Sequence, residues 1–355
     1  MTLWGALPAT MRAAVIRTFG PPDVLHVEEV PVPQLGDTDV LVKVHAVSVN
    51  RTLDVLVRRD GNNRNIKLPA VLGVDPSGVV VAVGRSVRDR RVGDRVATVN
   101  LRCGSCRYCQ AGEEEDCRSD IHLGISRWGG YAEYVSVAER ATVQVPDGLP
   151  FAEATVLLRH FPTAFALARR AGLRADDWAL VMGAAGALGA CCVQVARLTG
   201  ARVIAAAGTD DRVQAAVAYG ADAGVNYRAQ DLVAEVMRIT DGHGADVVFE
   251  NIADPTLWPG AFNSLAYRGR LVTAGAHGGG RVTLDVNRLY RNRLKIIGGP
   301  GSSRADVQCT LDALAAGQLK AMINRVLPLS AAAEAHRLVE NEPLLGKIIL
   351  DPTRM

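Results

Sequence analysis

The amino-acid sequence predicts an α/β protein of two domains, a barrel-like antiparallel β domain interrupted by a doubly wound parallel sheet. Three observations carry this. Short Val-rich segments separated by Gly, Pro and Asp run from Met11 to about Pro146. From about Phe151 strand and helix patterns alternate. Beyond Gly301 a helix, a strand, a second helix and a closing strand return the chain to the β domain. A length of 355 residues fits two domains at roughly 150 residues each.

The β half is read from MRAAVIRTF, VLVKVHAVSV, SGVVVAVG, DRVATV and YAEYVSVA, with residues 1–10 as a loose extension ahead of them. Next come the strand WALVMGA, an apolar helix over 187–200, the strand RVIAAA and a helix over 211–220. The strand GVNY, the helix DLVAEVMRIT and the strand ADVVFEN follow, then a helix running to Tyr267 and the strands GRLVTAGA and RLKIIGG. A helix over 305–316, the strand NRVLPL, a helix near 331–340 and the strand GKIIL end the chain. The expected domains are 1–157, carrying a lobe at 102–118, then 158–302, with 303–355 rejoining the first.

Composition removes several function classes. Forty basic against 37 acidic residues leave a net charge of +3, too small for a nucleic-acid footprint. The clusters Arg88, Arg90, Arg91 and Arg288, Arg291, Arg293, Lys295 are short and interrupted, as solvated faces are. No apolar run reaches the ~18–20 residues of a membrane helix, and the first residues lack the pattern of a secretory signal. Seven cysteines without an export signal imply reduced thiols and a cytoplasmic protein, in which a tight Cys cluster reads as a metal site.

Gly183, Gly186 and Gly189 lie between a buried strand and an amphipathic helix, spaced G-x-x-G-x-x-G. Glycines there let backbone N–H groups approach a pyrophosphate at the positive end of the helix. The turn Gly183, Ala185, Gly186, Ala187, Leu188, Gly189 is therefore the expected dinucleotide site. The second strand bears on which dinucleotide. Where an NAD site ends this strand with Asp or Glu on the ribose 2′-hydroxyl, this chain has Ala207 and Gly208, followed by Thr209 and Arg212. Arg212 suits a 2′-phosphate, which favours NADP(H). The alternative is NAD(H), with Arg212 on a solvated face and Asp210 or Asp211 on the ribose.

Cys103, Cys106, Cys109 and Cys117 are spaced C-x2-C-x2-C-x7-C. Four thiolates with no open position suit a structural, tetrahedral zinc rather than a catalytic one. Cys191, Cys192 and Cys309 read as core residues of helices rather than nucleophiles.

The β-rich half, this cysteine spacing and the GAAGALG turn together resemble the medium-chain dehydrogenase/reductase superfamily, from about Met11 to the end of the chain. The segments GRLVTAGA, RLKIIGGPGSS and AAEAHRLVENEPLLGKIIL are similar to its quinone-oxidoreductase-like and zinc-alcohol-dehydrogenase-like branches. The resemblance implies a GroES-like barrel with an inserted Rossmann domain and an active site in the cleft between them. It also implies cofactor contacts at Thr163 in a PTAF turn, at Gly275 and Ala276, and in the loop 298–301 around Gly299. Asn251, at the carboxyl end of a strand, is read either as a bond to the nicotinamide ribose or as a turn residue. Lys347 is read as reaching a cofactor phosphate or as exposed.

The departures shape the expected chemistry. At the three catalytic-zinc positions of the zinc-dependent relatives this chain has Asn50, Val74 and Arg159, and only Asp75 keeps a carboxylate. A catalytic zinc needs three protein donors and an open position, so none is expected. Hydride transfer from NADPH to an enone, an enoyl thioester or a quinone needs no Lewis acid, only donors to the developing oxyanion and a proton. Asn50, Asp54, Arg159 and His160 are the candidate catalytic residues, although His160 also reads as a satisfied polar residue at a domain seam. The proton donor stays open, because DGNNRNIKLP lacks the Tyr that some relatives use.

The expected function is thus an NADPH-dependent reductase of activated C=C bonds or quinones carrying one structural zinc. The alternatives are a zinc-independent carbonyl reductase or alcohol dehydrogenase, and a non-catalytic dinucleotide sensor. The substrate is a small molecule. The resemblance implies a homodimer or tetramer, since in relatives two such sheets join edge to edge through a final strand and RLKIIGG is an apolar strand suited to do the same.

Overall fold

A computed structural model describes residues 7–100, 102–118, 122–342 and 344–354. Residues 1–6 of the expected extension lie outside them, and Thr10 already belongs to the first strand. The chain divides into two compact units, one formed by residues 1–159 with 323–355 and the other by 160–322.

The first unit is the β domain. Its central strand, Asp39–Ser48, pairs antiparallel with Ser77–Val83, Tyr134–Ala138 and the C-terminal Lys347–Asp351. Arg95–Thr98 and Thr142–Gln144 extend the sheet on one side, and Ile323–Pro328 lies parallel to Lys347–Asp351 on the other. A second sheet holds Leu25–Pro31, Thr10–Ile16 and Ala70–Val71. Alternating Val, Ile and Ala from these strands enclose one core, including Val42, Val44, Val80, Val96, Ile348 and Leu350.

The second unit is a six-stranded, wholly parallel sheet. Its order is Ala223–Asn226, Arg202–Ala207, Trp178–Met182, Ala245–Phe249, Leu265–Thr273, Lys295–Gly298. The first strand in sequence lies third in space, so the strand order reverses between Trp178–Met182 and Ala245–Phe249, where ligands of such sheets bind. The inner strands Arg202–Ala207, Trp178–Met182 and Ala245–Phe249 are almost continuously apolar, as burial on both faces requires, whereas Lys295–Gly298 has no buried residue.

Three expectations are corrected. The segment around Thr163 is no turn: Phe151–Ala171 is one 21-residue helix with Pro162 inside it. Pro162 lacks a backbone donor and suggests a break, but the apolar residues Val156, Leu157, Leu158, Phe161 and Leu167 are all buried, and burial overrides it. The helix expected to reach Tyr267 is Trp258–Asn263, closed by the Ser264 hydroxyl donating to the Gly260 carbonyl at 2.8 Å. Tyr267 belongs to the next strand. Finally, the chain re-enters the first unit at Ile323, not at 303. Helix Arg304–Ala315 begins on a Ser303–Asp306 capping box, and Asp306 also pairs with Arg169 at 2.9 Å. Gln194 bonds both the amide and the carbonyl of Lys320. These contacts keep 303–322 in the second unit.

Register in the central sheet depends on one close approach. A Cβ placed on Gly78 would sit 1.9 Å from the Lys43 carbonyl oxygen of the neighbouring strand. Gly78→Ala is therefore expected to cost several kcal/mol and lower the thermal midpoint by roughly 10 °C. An unchanged midpoint by circular dichroism would show that the sheet opens there without cost.

Candidate active site

Strand Trp178–Met182 ends at Gly183, whose φ of +63° lies in the left-handed region. A Cβ on Gly189 would lie 2.3 Å from the Gly183 carbonyl oxygen, so only glycine allows helix Ala187–Leu198 to start so close to the strand. No side chain caps that helix at Gly186. The first-turn N–H groups of Ala187, Leu188 and Gly189 therefore have no acceptor within the helix and face outward at its positive end. Ala185 is fully buried beneath the turn.

Past the end of the adjacent strand, Asn251 is 6% exposed. Its Oδ1 accepts from the Ala274 amide at 2.8 Å, while its buried Nδ2 has no partner among the described residues. Gly275 packs on Asn251, and the Gly299 amide donates to Thr273 at 3.1 Å. Ala276 is exposed in the same loop. A buried donor held in place at the carboxyl edge of the sheet, opposite an uncapped helix start, fits a dinucleotide.

The second strand, Arg202–Ala207, ends without a carboxylate. Asp210 is engaged elsewhere, accepting from the Asn226 side chain at 2.7 Å. Thr209 is exposed at the start of the following helix and Arg212 is half-buried on it. The sequence reading missed Tyr227 and Arg228. A Cβ on Gly208 would meet Arg228 Nε at 3.2 Å and the Tyr227 hydroxyl at 3.3 Å. Burial raises the Tyr227 phenol above its usual range, while the positive charges of Arg212 and Arg228 pull it down. Arg228 and the phenol thus meet beside the strand end, with the charge of Arg212 within electrostatic reach. The signal was the Tyr-Arg pair directly after the third strand of the sheet.

The four cysteines meet as their spacing predicts. The Sγ atoms of Cys103, Cys106, Cys109 and Cys117 all lie within 4.8 Å of one another. The Cys103 sulfur is 3.9 Å from that of Cys109 and 3.6 Å from that of Cys117. A tetrahedron of ~2.3 Å zinc–sulfur bonds has edges of about 3.8 Å. Backbone amides of Ser105 and Cys106 donate to the Cys103 sulfur, as they do to thiolates. The lobe fits zinc with every coordination position taken by protein. Of the other cysteines, Cys191 and Cys192 are buried, but Cys309 is exposed and is not the core residue expected.

In the first unit, Asn50 and Asp54 sit in a buried polar cluster. Asp75 accepts from the Ser48 amide at 2.9 Å, the Ser48 hydroxyl at 2.5 Å and Asn50 Nδ2 at 3.0 Å. Asn50 Oδ1 accepts from Lys347 Nζ at 2.7 Å. Lys347 also donates to the Val49 carbonyl at 2.8 Å and is 6% exposed, so it is not a surface residue, one of its two expected readings. Asp54 accepts from the Asn50 and Gly73 amides. It lies on a π-helical turn, Arg51–Val55, in which the Asn50 carbonyl accepts from both Asp54 and Val55. With both ends of its amide engaged, Asn50 orients this cluster.

Val74 lines a small pocket with Asn100, His122 and Arg127, and presents no donor to a metal. Arg127 is paired with Asp39, and Arg159 donates to the Asn100 side chain. Burial pulls the Arg159 guanidinium down, while Asp75 and Asp54 push it back up. His160 and Thr163 are half-buried further along the same helix. Among the described residues, the four cysteines are the one group of three or more His, Cys, Asp or Glu side chains placed to hold a metal ion.

Burial, reinforced by the negative charge of Asp75, pushes the Asp54 carboxyl up to about 7, against the two backbone amides and Lys347, which lower it. The unfolded chain releases this proton near pH 4. Asp54 therefore makes folding progressively less favourable as pH rises from about 4 to about 7, with no further change above. Asp54→Asn removes that slope. Its thermal midpoint relative to the parent protein is expected to improve steadily across this window, and a difference independent of pH would refute the assignment.

Two families match the chain, the alcohol dehydrogenase GroES-like domain over residues 36–147 and the zinc-binding dehydrogenase over 187–316. The chain is 33% identical to the NAD-dependent alcohol dehydrogenase of Sulfurisphaera tokodaii, over 96% of this chain and 100% of that one. It is 29% identical to the quinone oxidoreductase of Sus scrofa, over 96% and 97%. A crystal structure of an NAD-dependent alcohol dehydrogenase superposes with a TM-score of 0.90 at 40% identity, covering 96% of this chain and 99% of that one. With these domains and this cysteine lobe, the chain belongs to the medium-chain dehydrogenase/reductase superfamily and is an NAD(P)-dependent oxidoreductase.

Proposed function

We propose that the protein reduces conjugated carbonyl compounds or quinones with NADPH, and that its one metal ion is a structural zinc in the cysteine lobe. The observation that carries this reading is the donor set of the first unit. Asn50 is bonded to Asp75 and Lys347, Val74 is apolar and Arg159 is a cation, so no Lewis acid is available to polarise a simple alcohol. When bound, the dinucleotide supplies the hydride, and one proton completes reduction of a C=C bond. A quinone takes a hydride and a proton in the same way.

The chain's own groups provide binding and charge. The first-turn amides after Gly186 suit the pyrophosphate. Arg212, Arg228 and Tyr227 suit a 2′-phosphate, two forks and one hydroxyl on a dianion. The donor Nδ2 of Asn251 suits a ribose hydroxyl or the carboxamide. Arg159 is the positive group suited to a developing oxyanion. The alcohol dehydrogenase names of relatives favour a second reading, a carbonyl reductase that works without catalytic zinc.

We also propose a homodimer. Strand Lys295–Gly298 ends its sheet, and Tyr267, Val286, Tyr290 and Ile296 are exposed in the same unit. A monomeric mass in light scattering at micromolar concentration would contradict it.

The deciding experiment follows NADPH and NADH oxidation with 2-cyclohexenone, an enoyl-CoA, benzoquinone and a simple aldehyde, with zinc measured on the same sample. Turnover of the conjugated substrates at one zinc per chain is expected. Aldehyde turnover alone supports the second reading, and two zinc ions per chain refute the assignment of Asn50, Val74 and Arg159. Arg228→Ala is expected to weaken NADPH by about tenfold to a hundredfold, the worth of one charge-assisted contact, and NADH hardly at all. Equal loss for both cofactors would place Arg228 away from the 2′-phosphate.

A further inference from the structure

The first unit buries two carboxyl groups within one hydrogen-bonded cluster. Asp54 and Asp75 are 0% and 1% exposed, and ionised carboxylates at such depth need countercharge. Lys347 brings it. Its ammonium is clamped between the Val49 carbonyl and Asn50 Oδ1, and Asn50 Nδ2 passes the contact on to Asp75 at 3.0 Å and the Ser48 hydroxyl at 3.2 Å.

The polarity of this chain of bonds has one solution. An ammonium only donates and a carboxylate only accepts, while an amide does one at each end. Turned over, Asn50 would face its oxygen to Asp75 and its NH2 to Lys347, two repulsive contacts in place of two attractive ones. The π turn carries the arrangement to the second carboxyl. Its added residue brings Asp54 back under the Asn50 amide, which donates to it at 2.8 Å. Asp54 thus faces the charges of Asp75 and Lys347, with the Tyr131 phenol and the Arg159 guanidinium also within electrostatic reach, and Arg58 beyond Tyr131.

We propose that Lys347 is the resident cation of this cluster, a positioning residue that fixes the Asn50 amide and supplies the positive charge facing the two carboxyl groups. This rests on the reading that no metal ion serves the site, since a divalent ion would otherwise provide the positive charge. The cation comes from the C-terminal strand, about three hundred residues away in sequence, and no motif around Asn50 announces it.

The test compares the full-length protein with Lys347→Arg, Lys347→Met and Lys347→Ala. The first readout needs no substrate. Infrared absorption of protonated carboxylic acids is followed against pH, with Asp54→Asn identifying the Asp54 band. Lys347→Met is expected to move the Asp54 titration upward by about one pH unit or more, as loss of a neighbouring cation does. Lys347→Arg keeps it close to the parent. Methylammonium, which carries the missing charge and N–H donors, returns Lys347→Ala toward the parent, and tetramethylammonium does not.

The second readout is turnover of 2-cyclohexenone or benzoquinone. Lys347→Met is expected to lower kcat by about tenfold or more with KM little changed, and to shift the pH profile in the same direction as the infrared titration. An Asp54 titration unmoved in Lys347→Met, or no rescue by methylammonium, overturns the proposal. If Lys347→Met does not fold, Lys347→Met with Asp75→Asn removes one charge of each sign and is expected to fold. Its failure to do so refutes the charge argument. A parent protein that turns over none of the substrates refutes the proposed reductase alone, because the infrared titration still decides the role of Lys347.

Discussion

The antiparallel pairing of Lys347–Asp351 with Asp39–Ser48 is the contact on which the first unit depends. It joins the two sequence segments of that unit across an inserted domain, and it places Ile348 and Leu350 in the same core as Val42, Val44 and Val80. The register that puts Ile349 opposite Ser48 also places Lys347 against Val49 and Asn50. One strand pairing therefore completes a hydrophobic core and sets the electrostatics of a polar cluster. The two outcomes cannot be separated, because a slip of one residue would turn the lysine to the other face.

The cluster is a case of buried charge that is individually expensive and collectively satisfied. Asp75 accepts three hydrogen bonds from Ser48 and Asn50, and its own carbonyl receives the Thr155 hydroxyl at 3.1 Å. Thr155 also shares a bond of 2.7 Å with Ser77. Networks of this kind specify one arrangement of the backbone, because any partial version leaves a charge without a partner.

Much of this was legible in the sequence, and what was legible was local. The cysteine lobe lies within one short loop, and thiolate spacing needs no knowledge of the rest of the chain. The glycine turn and the parallel strands were likewise visible from periodicity and from residues a few positions apart, and Arg202–Ala207 has the limits its pattern suggests. The errors arise where distant contacts decide. Pro162 reads as a break, yet buried neighbours hold it inside a long helix. The segment 303–322 reads as the return of the chain, yet Arg169 and Gln194 bind it to the Rossmann unit. Lys347 reads as a cofactor-phosphate contact or an exposed residue because its partners lie at the far end of the chain, and Arg228 is brought to Gly208 only when neighbouring strands pair.

The discontinuity of the first unit has a consequence for how the chain is made. On a ribosome, Asp39–Ser48 emerges early and Lys347–Asp351 only after the whole of the second unit. At about 5–20 residues per second, that leaves Val47 and Ser48 without their partners Leu350 and Ile349 for on the order of tens of seconds. The parallel sheet of 160–322 has no such wait, since every strand it needs is contiguous. Synthesis thus makes every strand of the second unit available before the first unit has its last one. Until its last strand arrives, the end of the central strand at Val47 and Ser48 has open backbone groups, the kind of edge that pairs with other chains when left alone.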